Sequence, residues 1–283
     1  MKKLALLVTL FAICSCAVLA SAEQDKSGYH LFNPTPRPLM REMSTDRPDK
    51  TESAYTVDAG HFQVEADLVA YSRDWRTAEA GEPDTEAWSF ATTNLKLGLL
   101  NNVDVQLIFS PYTRADFTDG DSLTLDGFGD TTLRLKWNLW GNDGGPTALA
   151  LMPFFTFPTA QDDLGAGALE GGLIVPLAVE LPGGWGMGLM TQLDRLRDDD
   201  ANGYHFQWTN TATVGRDIVG DLGGYVEFFS SVDTEDTSDW EGTVDFGLTY
   251  AVTEDLQLDA GVNFGVTDAA EDVVVFVGLS WRR

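Results

Sequence analysis

Apolar residues recur at every second position through twelve short segments of this chain. The run from Leu256 shows the pattern plainly: Leu256, Leu258, Ala260, Val262 and Phe264 alternate with Gln257, Asp259, Gly261 and Asn263. The final segment repeats it, with Val273, Val275, Val277, Leu279 and Trp281 on one parity and Gly278 and Ser280 on the other. A period of two places alternate residues on opposite faces of a β-strand. The fold class is therefore all-β, and the open question is which face meets which solvent.

The segments fall at 60–74, 87–100, 103–116, 128–140, 147–158, 169–181, 185–197, 204–218, 222–232, 240–252, 256–266 and 273–283. Most exceed the ordinary strand of about 5–6 residues and match a tilted membrane crossing of about 9–11 residues or slightly more. Their connections alternate in length. Asn101-Asn102, Pro182-Gly183-Gly184, Val219-Gly220-Asp221 and Thr253-Glu254-Asp255 are tight turns of the Gly, Asn and Asp type. Between them lie longer, mostly acidic loops: Trp75 to Glu86, Phe117 to Gly127, Thr159 to Ala168, Asp198 to Gly203, Asp233 to Asp239 and Thr267 to Asp272. Short turns on one rim, long loops on the other and an even strand count predict a twelve-stranded antiparallel transmembrane β-barrel. A periplasmic sandwich or lipocalin-like barrel is the alternative, with its polar face outside. Aromatics near the strand ends, among them Trp75, Trp88, Trp140, Trp185, Trp240 and Tyr250, suit interfacial girdles.

The first residues bear on the compartment. Lys2 and Lys3 precede an apolar run from Leu4 to Leu19, and Ala20-Ser21-Ala22 forms a small-x-small cleavage site. This reads as a secretory signal peptide over residues 1–22. Both cysteines, Cys14 and Cys16, lie within it, so the exported chain would carry no disulfide and no thiolate site. Without Lys2 and Lys3, 16 basic residues face 44 acidic ones, a net charge of −28. Such a balance opposes nucleic acid and anionic surfaces. The expected location is the bacterial outer membrane. The expected partners are its lipid and lipopolysaccharide, small-molecule solutes, and the barrel assembly machinery during insertion.

If the apolar parity faces lipid, the other parity lines a lumen. That set includes Glu65, Asp67, Lys96, Asp104, Arg134, Lys136, Asp194, Glu227, Asp245 and Asp259. With the neighbouring Arg73, Asp130, Glu180 and Asp217 it amounts to ten carboxylates against four bases. Charges at the bilayer midplane cost a few kcal/mol each on the lipid face, so they belong inside. Carboxylates lining a narrow pore favour cations. Equally, opposite charges could pair across the lumen and stiffen the barrel, with Arg134 and Lys136 facing Asp104 and Gln106 on the adjacent strand.

Residues 23–59 lack alternation and contain Pro34, Pro36, Pro38 and Pro48. They form an irregular N-terminal segment ahead of a barrel domain at 60–283. Their end reads Thr45-Asp46-Arg47-Pro48-Asp49-Lys50-Thr51-Glu52-Ser53, then Thr56-Val57 and Gly60-His61-Phe62-Gln63-Val64-Glu65. This resembles the opening signature of an outer-membrane transporter family named for the meta pathway of phenol degradation. Lys50 stands where that pattern commonly has an aromatic residue, and Asp58-Ala59 replaces a more proline-rich pair. The resemblance implies a transporter, with aromatic compounds as a solute class, and brings no catalytic residue. Physically, Asp46, Arg47, Asp49 and Glu52 suit a strap that pairs with lumen charges and folds into or under the barrel mouth. A disordered periplasmic tail is the alternative.

No enzyme chemistry emerges. His30, His61 and His205 are the three histidines, and nothing resembling Gly-x-Ser-x-Gly is present. Asp198, Asp199 and Asp200, with Asp233, Glu235, Asp236 and Asp239, lack calcium-loop spacing. They read as a diffuse acidic rim that could bridge to lipopolysaccharide through metal ions. No catalytic residue, cofactor or defined metal site is expected. The two functions left open are a channel for passive uptake of small solutes through a polar acidic lumen, and a structural or adhesion barrel with a blocked lumen.

Overall fold

The computed structural model describes residues 25–75, 84–119, 121–161, 164–198, 203–234 and 240–283. The expected signal peptide lies outside the described residues, as do Asp199, Asp200, Glu235, Asp236 and Asp239 of the acidic loops. Fourteen strand segments follow the N-terminal segment. They are β1 (Phe62–Asp74), β2 (Asp84–Leu100), β3 (Val103–Phe109), β4 (Tyr112–Asp119), β5 (Asp121–Gly127), β6 (Thr131–Trp140) and β7 (Thr147–Phe157). The series continues with β8 (Glu170–Leu181), β9 (Trp185–Arg197), β10 (Tyr204–Val219), β11 (Leu222–Asp233), β12 (Trp240–Thr253), β13 (Leu256–Gly265) and β14 (Val273–Arg282).

Neighbours pair antiparallel around a ring, and the ring closes because β1 bonds to both β2 and β14. Two walls are each built from two segments. β3 and β4 both pair with β2, at its two halves, while β6 continues against β3 and β5 against β4. The chain therefore makes a closed twelve-stranded barrel from fourteen segments. The first break falls at Ser110-Pro111, where proline offers no ladder donor.

The stretch from Phe117 to Gly127, expected as a loop, is instead the outer part of a hairpin. Arg114 stands opposite Asp126, and Asp116 opposite Thr124, so cross-strand polar pairs extend the ladder past the bilayer-facing part of the wall. The remaining boundaries lie within a few residues of the sequence reading.

The two parities have separate environments. Leu133, Leu135, Leu173, Leu193, Val226, Phe228, Phe246, Leu258 and Val275 are exposed on the outer surface. Trp137, Trp140, Trp185 and Tyr250 are exposed toward the short-turn rim, and Trp75, Trp88 and Trp240 toward the other. Buried instead are Gln63, Glu65, Lys96, Asp104, Gln106, Lys136, Glu227, Asp245 and Asp259. The molecule is apolar outside and polar within, the arrangement a bilayer requires of a barrel.

One sector departs from this. On β7, β8 and β9 the inward side chains include Met152, Phe154, Ile174 and Met190, which form an apolar cluster. Ala148 and Ala150 of β7 pack with Ala54 and Tyr55 of the N-terminal segment. The barrel interior thus has an apolar flank facing a charged one.

Candidate functional site: a strap inside the barrel

Residues 25–59 occupy the short-turn end of the barrel and its middle. The outer part is tied to the turns. Lys26 Nζ lies 2.7 Å from Asp143 Oδ1, and Arg41 contacts the same oxygen at 2.9 Å while also donating to the Asn101 carbonyl at 2.9 Å. Arg37 pairs with Asp255 in the turn before β13. From the far end of the chain, Arg282 donates to Asp255 at 3.0 Å and to the Arg41 carbonyl at 2.9 Å. Arg282 is therefore a buried tie rather than a surface charge.

The segment then turns inward. Asp46 bridges two buried lysines, with Lys96 Nζ at 2.5 Å and Lys136 Nζ at 2.6 Å. Glu65 also pairs with Lys96 and accepts the Asp46 N–H at 3.0 Å. Arg47 reaches Asp67 on β1 and Asp259 on β13, each at 2.6 Å. Lys50 N–H donates to Glu227 at 2.7 Å, Thr51 hydrogen-bonds Thr211 at 2.6 Å, and Glu52 pairs with Arg134. On the way back toward the rim, Asn138 donates to the Ala54 carbonyl at 2.8 Å and Asp104 accepts the Val57 N–H at 3.0 Å. A Cβ at position 98 would stand 2.1 Å from the Asp58 carbonyl oxygen, so the returning strap needs glycine there.

Of the ten wall residues singled out from the sequence, nine contact the strap: Glu65, Asp67, Lys96, Asp104, Arg134, Lys136, Glu227, Asp245 and Asp259. Asp194 is the exception; it accepts from Gln192 at 2.9 Å on its own strand. The expected pairing of Lys136 with Asp104 across adjacent strands is replaced. The two are directly opposite in register, yet Lys136 pairs with Asp46 and Asp104 bonds to Val57. In the strap, Thr45 donates to the Arg47 carbonyl at 2.6 Å, and Ser53 N–H donates to Asp46 at 2.9 Å. Burial opposes ionisation of Asp46, but Lys136 and Lys96 outweigh it and hold that carboxyl below the usual range. Asp49 goes the other way: burial, then the Glu227 carboxylate, push it up to about 8.

Sequence reasoning gave no binding role to the turn residues Asn101, Asn142, Asp143 and Asp255, nor to Asp58 and Lys50, noted only as departures from the family pattern. Their signal lay in composition, since Asn101 and Asp255 sit in tight connections and Asn142 and Asp143 in the slightly longer Gly141 to Pro146 turn, all facing the N-terminal segment. The histidines are dispersed. His61 Nε2 is 2.7 Å from the Thr35 carbonyl, and His205 lies between Asp198 and Asp233 at 3.1 and 2.8 Å.

Two cavities flank the strap. One, of about 300 Å³, lies on the long-loop side against Asp46, Arg47, Lys50, Asp67, Asn94 and Phe276. The other, of about 310 Å³, lies on the short-turn side between Thr51, Tyr55, Gly186, Gly188, Gly215 and Tyr225. Asp49 and Glu52 border both.

The profile of the family described as "Putative MetA-pathway of phenol degradation" matches residues 45–283, from the strap motif to the last strand. The chain belongs to this family. Among solved structures, it is similar to the COG4313 outer membrane channel from Pseudomonas putida F1, with 14% identity, a TM-score of 0.60, and coverage of 85% of this chain and 100% of that one. The transport unit of the autotransporter AIDA-I from Escherichia coli is similar at 11% identity and a TM-score of 0.52, covering 85% and 92%. No curated protein sequence matches. At these identities the likeness is one of fold, a barrel of the outer-membrane type.

Proposed function

We propose that this family member is a passive channel of the bacterial outer membrane, carrying small solutes around the strap. The reading is supported by the pair of cavities, about 300 and 310 Å³, on either side of the strap inside a closed inside-out barrel. They share Asp49 and Glu52 as a border, so the route narrows at two carboxyl side chains. On the short-turn side the gap exists because Gly186, Gly188 and Gly215 give the wall no side chains there.

The charged wall set has seven carboxylates, Glu65, Asp67, Asp104, Asp194, Glu227, Asp245 and Asp259, against Lys96, Arg134 and Lys136. This supports preference for cations over anions. The apolar flank of Met152, Phe154, Ile174 and Met190, together with the family's description, makes aromatic compounds the solute class to test first. No enzymatic role is proposed. The outward leucines, valines and tryptophans suit outer-membrane lipid, lipopolysaccharide at the long-loop rim, and delivery by the barrel assembly machinery.

The number of ties holding the strap favours a second reading, a structural barrel whose lumen is closed. Planar-bilayer recordings separate the two. The channel reading expects a small cation-preferring conductance that grows when residues 25–59 are deleted. Silence from both forms overturns it in favour of the closed barrel, and anion preference overturns the acidic-lumen part. Growth of a deletion strain on single aromatic carbon sources tests the solute class.

A further inference from the structure

Lys50 is one of the positions at which the strap departs from the family's opening pattern, and its side chain sits in a specific place. Its Nζ lies 4.2 Å from the centroid of the Phe229 ring. It donates to Thr243 Oγ1 at 3.0 Å and stands 3.6 Å from Asp245 Oδ2. Phe229 and Thr243 are directly opposite on β11 and β12, and Asp245 lies two residues along from Thr243 on the same face. An aromatic face, a hydroxyl acceptor and a carboxylate around one ammonium form a cation receptor, since the ring quadrupole and the carboxylate both attract positive charge.

The Asp245 side chain is only 1% exposed, and its carboxylate sits among the Lys50 ammonium at 3.6 Å, the Thr243 hydroxyl and Glu227. Burying a carboxylate without a cation beside it is costly, so Asp245 favours an ammonium in this seat. The Lys50 side chain, by contrast, is 29% exposed and borders the long-loop cavity. The lysine thus stands between the cavity and the receptor, whose own residues do not border the cavity, and displacing its flexible stem opens the seat.

We propose that Phe229, Thr243 and Asp245 form a binding subsite for organic ammonium cations, which the strap fills with its own Lys50. A primary alkylammonium entering the long-loop cavity presents the same three N–H donors and the same apolar stem as the lysine. It competes with Lys50 for one seat, so binding is coupled to release of the strap tip. The subsite is independent of whether the barrel conducts.

The test is a titration of the purified full exported chain in detergent with n-butylammonium chloride, followed by calorimetry. Lys50→Ala vacates the seat and leaves a stem-shaped gap. Saturable one-to-one binding is expected for this variant, at least tenfold tighter than for wild type. Adding Asp245→Asn should weaken it at least tenfold, and n-butanol, the uncharged counterpart, should not bind. Lys50→Ser serves the same purpose if the alanine variant does not fold. Absence of saturable binding in the Lys50 variants overturns the proposal. So does binding that is equal in wild type, insensitive to Asp245→Asn, or matched by butanol. Because calorimetry needs no current, a silent bilayer recording leaves this result untouched.

Discussion

Asp46 Oδ1 lies 2.6 Å from Lys136 Nζ, although the two residues belong to an irregular strap and to the middle of a barrel wall. The same carboxylate holds Lys96 through its other oxygen at 2.5 Å. Two wall lysines thus share one acid supplied by the strap. Removing a single member of a buried charge network leaves its partners uncompensated, which costs about 3–5 kcal/mol. Asp46→Asn should therefore undock the strap. Limited trypsin digestion at Arg41 and Arg47 is the measurement, with faster cleavage than wild type expected. The double variant Asp46→Asn with Lys136→Met should recover part of the loss, and additive effects would contradict a shared network.

Asp49 should leave a mark on the pH dependence of stability. Its carboxyl is raised to about 8 by burial and by Glu227, whereas an unfolded aspartate titrates near about 4. Between those values the folded chain holds a proton that the unfolded chain has lost, so this group's contribution to stability falls as pH rises through the window. Asp49→Asn should flatten that part of the profile and exceed wild type above pH ~8, the upper end of that interval. Chemical denaturation of both proteins at the two ends of the window decides it; parallel curves would refute the assignment.

Position 98 tests the return path. Gly98→Ala would place a methyl group 2.1 Å from the Asp58 carbonyl oxygen, a contact that only backbone movement can relieve. The β-sheet content measured by circular dichroism should persist while the strap becomes protease-sensitive. A variant as resistant as wild type would show that the strap tolerates displacement there.

Adjacent residues on β6 test the faces. Leu135 is 41% exposed on the outer surface, and Lys136 is fully buried inside. Leu135→Arg should cost about 2–4 kcal/mol in lipid, as charged residues do at a bilayer midplane. Reversible unfolding in liposomes measures it, and a neutral effect would place Leu135 away from the membrane.

Much of the architecture was legible in the chain because a membrane barrel writes its two solvents onto alternate residues. On β13, Leu258 and Ala260 are exposed and Asp259 is buried, as the parity implied. The interrupted third and fourth walls were not legible, since the cross-strand pairs that extend them, such as Arg114 with Asp126, look like loop residues in one dimension. Nor was the apolar flank: β7 reads as hydrophobic at successive positions, and nothing in Leu151, Met152, Pro153 and Phe154 says which belong inside. The wall charges were visible, but their partners were not. Register placed Lys136 opposite Asp104, and only three-dimensional packing put Asp46 between the lysines.

The double grip of Arg47 bears on the order of assembly. Its two acids sit on β1 and β13, which become near neighbours only when β14 pairs with β1 and completes the ring. Its guanidinium also passes across Gly278 of that last strand, where a Cβ would stand 2.1 Å from Nη2. The arginine is a buckle over the seam, and a buckle fastens last. A strap locked by the last strand can make this contact only after that strand has been laid, so the residues around Arg47 are among the last to find their place.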